Sequence, residues 1–262
     1  MKIATWNING VKARLQTAKD WLEQSKPDIA CLQEIKSIDE NFPREEFESL
    51  GYNLVTHGQK GFNGVAILSR LPFDEVNRGL PGDDTDEQAR FIECVVSTQH
   101  GALRVVSLYL PNGNPVSADS VKFPYKLGWM ERLEAWAQER LELEEPLILA
   151  GDYNVIPMPV DCHDPKVWEG DALFRPESRS AFRRLANLGF TDALRAVTDA
   201  PETYTFWDYQ AGAWQKNNGI RIDHLMLSPE AANKLVSVDV EKYVRAWEKP
   251  SDHVPVAAEL SF

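Results

Sequence analysis

Residues Leu147-Ile148-Leu149-Ala150 form an apolar run with no polar alternation, and the run stops on Gly151-Asp152-Tyr153-Asn154. Such a run reads as a strand buried on both faces, so the chain around it must supply cover on either side. Gly151 is expected to let the backbone turn sharply where the strand ends, leaving Asp152 and Asn154 on a rim. Taken alone, an acid and an amide at a strand end form an Asx-type turn that bonds its own backbone. Repetition changes that reading, because several other apolar runs in this chain also end on polar groups of a chemical kind.

Residues 2–7 alternate like a strand and end at the turn Asn7-Ile8-Asn9-Gly10. Leu15, Ala18, Trp21 and Leu22 follow helical spacing, which predicts a helix over 11–24. After Pro27 a second buried strand, 28–32, ends on Gln33-Glu34. Further strands are predicted at 65–68, 91–96 and 104–110, the last leading through Tyr109 to the turn Pro111-Asn112-Gly113-Asn114. Met130, Leu133, Trp136, Ala137 and Leu141 predict a helix past Pro124 that feeds the organising strand. Residues 158–178 read as a loop excursion pinned by Trp168 and Phe174, and Phe182, Leu185 and Leu188 as a short helix ended by Gly189.

In the last third the order reverses: Asp223 precedes the apolar run 224–227, and Asp252-His253 precede 254–258. For all these polar groups to meet on one rim, the two late strands must run opposite to the earlier ones, which predicts mixed sheets. The end Thr5-Trp6-Asn7-Ile8-Asn9 also echoes Asp152-Tyr153-Asn154. Two similar halves, each a sheet with outer helices, give an α/β fold in four layers: two packed mixed β-sheets with helices on the outer faces. No linker separates the halves, so residues 1–262 are expected to form a single domain.

Twenty-eight Lys and Arg against 40 Asp and Glu give a net charge of −12, which argues against holding nucleic acid by bulk electrostatics. A local basic face is still open to the chain. Acid gathers at 39–48, 83–87 and 139–145, and Lys36, Lys60, Arg90, Lys122, Lys126, Arg175, Arg179 and Arg221 lie near the motifs. Cys31, Cys94 and Cys162 are widely spaced and odd in number, so they are expected to be reduced, with the first two in the core. His163, in Asp161-Cys162-His163-Asp164, sits in a turn-rich context that reads as a solvated loop rather than a metal cluster. No apolar run approaches the roughly 20 residues of a membrane helix, and the first residues enter a strand with no apolar leader, so no membrane and a cytoplasmic location are expected.

Gathered on one rim, the strand ends supply Asn7, Glu34, Tyr109, Asp152, Asn154, Asp223, Asp252 and His253. Carboxylates, amides, a phenol and one imidazole suit a hard cation such as Mg²⁺, and the single histidine argues against zinc. The pieces Trp6-Asn7-Ile8-Asn9-Gly10, Leu32-Gln33-Glu34, Gly64-Val65-Ala66, Ala89-Arg90, Tyr109-Leu110-Pro111-Asn112-Gly113, Gly151-Asp152-Tyr153-Asn154, Arg221-Ile222-Asp223-His224 and Ser251-Asp252-His253 follow one another across nearly the whole chain. In that order they resemble the exonuclease III family of magnesium-dependent apurinic/apyrimidinic endonucleases, within the wider endonuclease/exonuclease/phosphatase fold.

The resemblance implies roles. Glu34 with Asn7 holds Mg²⁺, with Mn²⁺ able to substitute, and Asp252, Asp152, Asn154 and His253 belong to the same neighbourhood. Asp152 orients and deprotonates the attacking water and Asn154 fixes its direction, while His253, held by Asp223, touches the scissile phosphate. Tyr109 and Asn112 donate to phosphate oxygens. Lys36, Arg90, Lys122, Lys126 and Arg221 are expected to form the face that meets DNA.

By the same resemblance Phe206, Ile220 and Ile222 line a dry pocket that accepts a baseless ribose, the alternative being ordinary core. The implied partner is duplex DNA with abasic or 3′-blocked sites, attacked by a monomer. Asn218 and the loop 210–215 depart from the family pattern, which bears on the balance between incision and 3′-to-5′ exonuclease action. Two rivals stand beside this reading: a same-fold phosphoesterase acting on a small or lipid phosphate, and a non-catalytic DNA-binding relative.

Overall fold

A computed structural model describes residues 1–262. The chain opens with β1 (Lys2–Asn7), α1 (Leu15–Ser25) and β2 (Ile29–Gln33), then runs through α2 (Arg44–Glu48), β3 (Asn53–His57), β4 (Val65–Ser69), β5 (Glu75–Arg78), β6 (Phe91–Thr98) and β7 (Gly101–Tyr109). It continues with α3 (Lys122–Leu141), β8 (Leu147–Asp152), α4 (Pro176–Asn187), β9 (Thr191–Asp192), α5 (Ala193–Val197), β10 (Asp223–Leu227), α6 (Pro229–Ala232), β11 (Leu235–Val240) and β12 (Val256–Leu260). Two six-stranded sheets result, ordered β11-β12-β1-β2-β4-β3 and β5-β6-β7-β8-β10-β9. Only β1 with β2 and β7 with β8 run parallel, so both sheets are mixed. The late strands reverse as expected, β12 antiparallel to β1 and β10 antiparallel to β8.

The strand at 147–152 is buried on both faces. Ile148 and Ala150 meet Ile3, Ile29, Cys31 and Val65 of the other sheet, forming the core between the sheets. Leu147 and Leu149 face outward onto Trp129, Leu133 and Trp136 of α3 and Phe182 and Leu185 of α4. On the far side Ala4, Trp6, Ala30 and Leu32 pack beneath Ala18, Trp21 and Leu22 of α1 and Phe47 of α2. The layers are therefore helix, sheet, sheet, helix. Fully burying a Leu or Ile side chain contributes about 1.5–3 kcal/mol, so alternate residues of one strand stabilise two different cores.

Several boundaries move for identifiable reasons. Helix α1 starts at Leu15 because the N–H groups of Gly10 and Val11 are taken by the carbonyls of Glu34 and Ile35, which ties residues 10 and 11 to the end of β2. Helix α3 starts ahead of Pro124, since a proline in the first turn has no intrahelical acceptor to lose. The excursion at 158–178 contains two short 3₁₀ turns and the start of α4, a longer helix than its three apolar residues indicated. Gly151 does not make the turn. It lies within β8, where an added Cβ would sit 2.0 Å from the Leu108 carbonyl oxygen, so only glycine permits the close pairing of β7 and β8.

Candidate active site

Register alone brings the polar strand ends together. Asp152 pairs with Tyr109 across β7 and β8 and with Asp223 across β8 and β10, while Asn7 pairs with Gln33, the residue before Glu34. Glu34 and Asn154 then leave their strands in the left-handed region, at φ 49° and 47°. That conformation costs about 1–2 kcal/mol for a residue such as glutamate and less for asparagine. It turns both side chains back over the rim.

The Asn7 carboxamide donates to Glu34 Oε1 and to Asp152 Oδ2, each at 2.9 Å, and so bridges one carboxylate from each sheet. Lys36 Nζ stands 3.0 Å from Glu34 Oε2. His253 donates from Nδ1 to Asp223 Oδ2 at 2.9 Å, and its Nε2 lies 3.8 Å from Asp152 Oδ2. Thr205 adds a 2.6 Å bond to the same Asp223 oxygen, and Oδ1 of Asp223 is buried without a partner. Arg221 is not the partner of Asp223; it pairs with Asp161 and Asp192 instead.

These contacts set the charges. Burial pushes Asp152 up to about 7, with the His253 imidazolium pulling the other way and Asp223 adding to the rise. Burial also works against a charged His253, yet the carboxylates of Asp223 and Asp152 outweigh it and raise the imidazole to about 10. Glu34 shifts down: burial opposes ionisation, but the Asn7 hydrogen bond and the Lys36 ammonium prevail. Burial, followed by the charges of Glu34 and Asp152, lifts Tyr109 well above the usual phenol range, so its hydroxyl remains a donor. At neutral pH the mouth thus holds an imidazolium facing a carboxylate whose pKa lies near the working pH.

Glu34, Asp152 and His253 place ligand atoms within 4.8 Å of one another, close enough to share one ion. The imidazolium must lose its proton to ligate, which leaves Glu34 and Asp152 as the readier donors. Asp252 stands outside this trio and joins it through Asn9, whose carboxamide donates to Asp252 Oδ1 at 3.0 Å and accepts from Lys36. Asn154 donates to the Leu110 carbonyl and accepts from the Asn112 carboxamide at 3.2 Å.

Beside the mouth is a cleft of about 380 Å³ lined by Phe206, Ile222, Leu173, Trp168, Asn112 and Asp171, together with the rim residues. Phe206 and Ile222 occupy the wall that the sequence assigned them. Ile220 does not: it lies behind the wall in the small core with Ile156, Cys162 and Phe174. Trp168 and Leu173 take that wall position from the excursion, where a lone tryptophan read only as an anchor.

Two residues of the expected DNA face are also misplaced. Lys126 and Arg221 are 0% and 1% exposed and cannot touch a duplex. Arg90 is half-buried, stacked 4.8 Å over the Tyr109 ring and bonded to the Tyr109 carbonyl. Lys122 is exposed, and Lys36 lines a neighbouring cleft of about 270 Å³ with Lys12 and Lys60. Sequence reasoning also passed over Thr205, whose support of Asp223 has no signal in spacing.

Two packed mixed sheets with clustered carboxylates and an imidazolium at one open end define a hydrolase of the phosphoesterase kind. Over residues 4–253 the chain matches the model of the endonuclease/exonuclease/phosphatase family, and it belongs to that family. Within it the chain is of the exonuclease III type. It is 36% identical to exodeoxyribonuclease III of Haemophilus influenzae over 99% of this chain and 100% of that protein. Its fold matches an AP endonuclease from Archaeoglobus fulgidus with a TM-score of 0.93 and 36% identity, covering 100% of both chains. It also matches the 3′ phosphatase NExo from Neisseria bound to a product DNA hairpin, at TM-score 0.95 and 38% identity, again over 100% of both chains. No helix is long and apolar enough to cross a membrane.

Proposed function

We propose that this chain is a magnesium-dependent DNA-repair phosphodiesterase, acting as a monomer through a single domain. It incises duplex DNA on the 5′ side of an abasic site and removes nucleotides or blocking groups from 3′ ends. The reading is carried by one observation: Glu34, Asp152, Asp223 and His253, far apart in sequence, converge on one mouth. The named activities of the exonuclease III, AP endonuclease and 3′ phosphatase relatives support the choice of DNA.

The donor set fits a hard divalent cation: two carboxylates drawn together by Asn7, one of them with its pKa raised by burial and by Asp223, gain from a neutralising charge. Glu34 and Asp152, with Asn7, are the residues to hold Mg²⁺, or Mn²⁺ in its place. Held by these residues, a divalent ion would supply positive charge to offset the negative charge that builds on the phosphate. Asp152 takes the proton of the attacking water, whose approach Asn154 directs. His253 presents Nε2–H to the scissile phosphate while Asp223 holds the ring by Nδ1. Tyr109 and Asn112 donate to the other phosphate oxygens. The water oxygen joins phosphorus, the bond to the 3′ oxygen breaks, and that oxygen leaves as the 3′ hydroxyl, its proton coming from solvent.

Phe206, Ile222, Leu173 and Trp168 offer the flipped sugar an apolar wall. The cleft of Lys12, Lys36 and Lys60 gives the flanking backbone a basic edge on a molecule of net charge −12. The test is an end-labelled duplex with and without one baseless site, incubated over a Mg²⁺ series with a chelator control. Metal-dependent incision at the baseless site is expected. Intact DNA alongside rapid hydrolysis of a soluble phosphomonoester would hand the site to the small-phosphate rival, and inertness toward both to the non-catalytic one.

A further inference from the structure

Lys126 lies in the second turn of α3, fully buried, with its ammonium forming no ion pair. Its Nζ instead donates to two main-chain carbonyls, those of Asn112 at 3.1 Å and Asn154 at 2.5 Å. A buried amino group held only by carbonyls is costly whether or not it keeps its proton, and an apolar side chain of the same length fills such a space with less penalty. Packing alone therefore does not account for a lysine here. The loop after β7 is moulded to its stem: a Cβ added at Gly113 would sit 2.7 Å from Lys126 Cδ, and Gly113 has φ +90°. The two residues whose carbonyls it grips also bond to each other through their side chains at 3.2 Å.

We infer that Lys126 is a positioning residue, a buried hydrogen-bonding tie that locks the loop after β7 to the turn after β8, so that the Asn112 and Asn154 carboxamides keep one shared orientation toward the phosphate. The inference rests on the reading of those two amides as substrate-facing groups. Small displacements of positioned groups cost up to about 100-fold in rate, so an effect of that order is at stake.

The test is a double-mutant cycle on the full chain, read as kcat and KM for incision of the baseless duplex. Lys126→Met keeps the stem and removes the donor; Lys126→Gln keeps a shorter donor and is carried through the same cycle, so that loss of fold in one variant leaves the experiment intact. Lys126→Met is expected to lower kcat by about 10- to 100-fold with KM within about threefold, and to cost severalfold less once Asn112→Ala is present, the remainder being its hold on Asn154. Lys126→Gln is expected to fall between Lys126→Met and the wild type. Wild-type kcat in Lys126→Met, or an undiminished cost in the Asn112→Ala background, overturns the proposal. Wild-type kcat in Asn112→Ala alone overturns the underlying reading of the amide, and the tie with it.

Discussion

Replacing Asp223 by asparagine keeps its shape and deletes its charge, and the structure sets how much should follow. Asp223 Oδ2 lies 2.9 Å from His253 Nδ1, and the two side chains are 0% and 5% exposed. Unit charges about 4 Å apart at an effective dielectric of about 20 interact by about 4 kcal/mol, or about 3 pK units. His253 stands at about 10 because Asp223 and Asp152 together overcome its burial. In Asp223→Asn the imidazole should therefore titrate near about 7, which leaves roughly 3% of it charged at pH 8.5.

The wild type should hold its activity to pH 9, whereas the variant should lose it on a slope of about one decade per pH unit above neutrality. Its acid limb should also move down, since Asp223 contributes to the raised pKa of Asp152. Single-turnover cleavage from pH 5.5 to 9, paired with NMR titration of the ring nitrogens in metal-free protein, reads both limbs. An imidazole that still titrates above 9 in Asp223→Asn, or a profile parallel to wild type, would refute the electrostatic account of the pair.

Asp152→Asn should abolish turnover while leaving the dissociation constant for duplex, measured by anisotropy, within a few-fold; an active variant removes the water-activating role. Glu34→Gln should raise the Mg²⁺ concentration for half-maximal rate by at least about tenfold, because a hard-cation site loses one of its two carboxylates; an unchanged midpoint places the ion elsewhere. His224 is held neutral, pulled down to about 4 by burial and then by Arg221. Its folded pKa lies below the unfolded value of about 6.5, so its contribution to stability is complete above that pH and drains as pH falls toward 4. Urea melts should show a loss of about 2 kcal/mol between pH 7 and pH 5 that His224→Gln largely removes, and equal slopes in the two proteins would exclude the histidine.

The central strands were legible because burial on two faces leaves little room for polar residues, as at 147–150 and 65–68. The four strands with no such signal, β3, β5, β9 and β11, are the four sheet edges. An edge is paired on one side only and half exposed, so Glu75-Val76-Asn77-Arg78 can be a strand without apolar rhythm. The rim was legible because each catalytic-type group borders an apolar run, after it in the early strands and before it in the late ones. Burial of charge was not: nothing in a sequence separates Lys122, in solvent, from Lys126, four residues on and enclosed. Ile220 and Trp168 exchanged places for a related reason, since which side of a wall a residue faces is decided by the excursion that closes over it.

Asn7 clasps one acid from each half of the molecule, and that makes the mouth a gauge of how the halves sit on each other. A sideways creep of the facing sheets would stretch one grip or the other before any strand lost its partners. Substitutions deep in the shared interior, at Cys31 or Ile148 for example, should thus register as altered turnover even where melting temperature barely moves, and repair efficiency becomes a readout of interior fit.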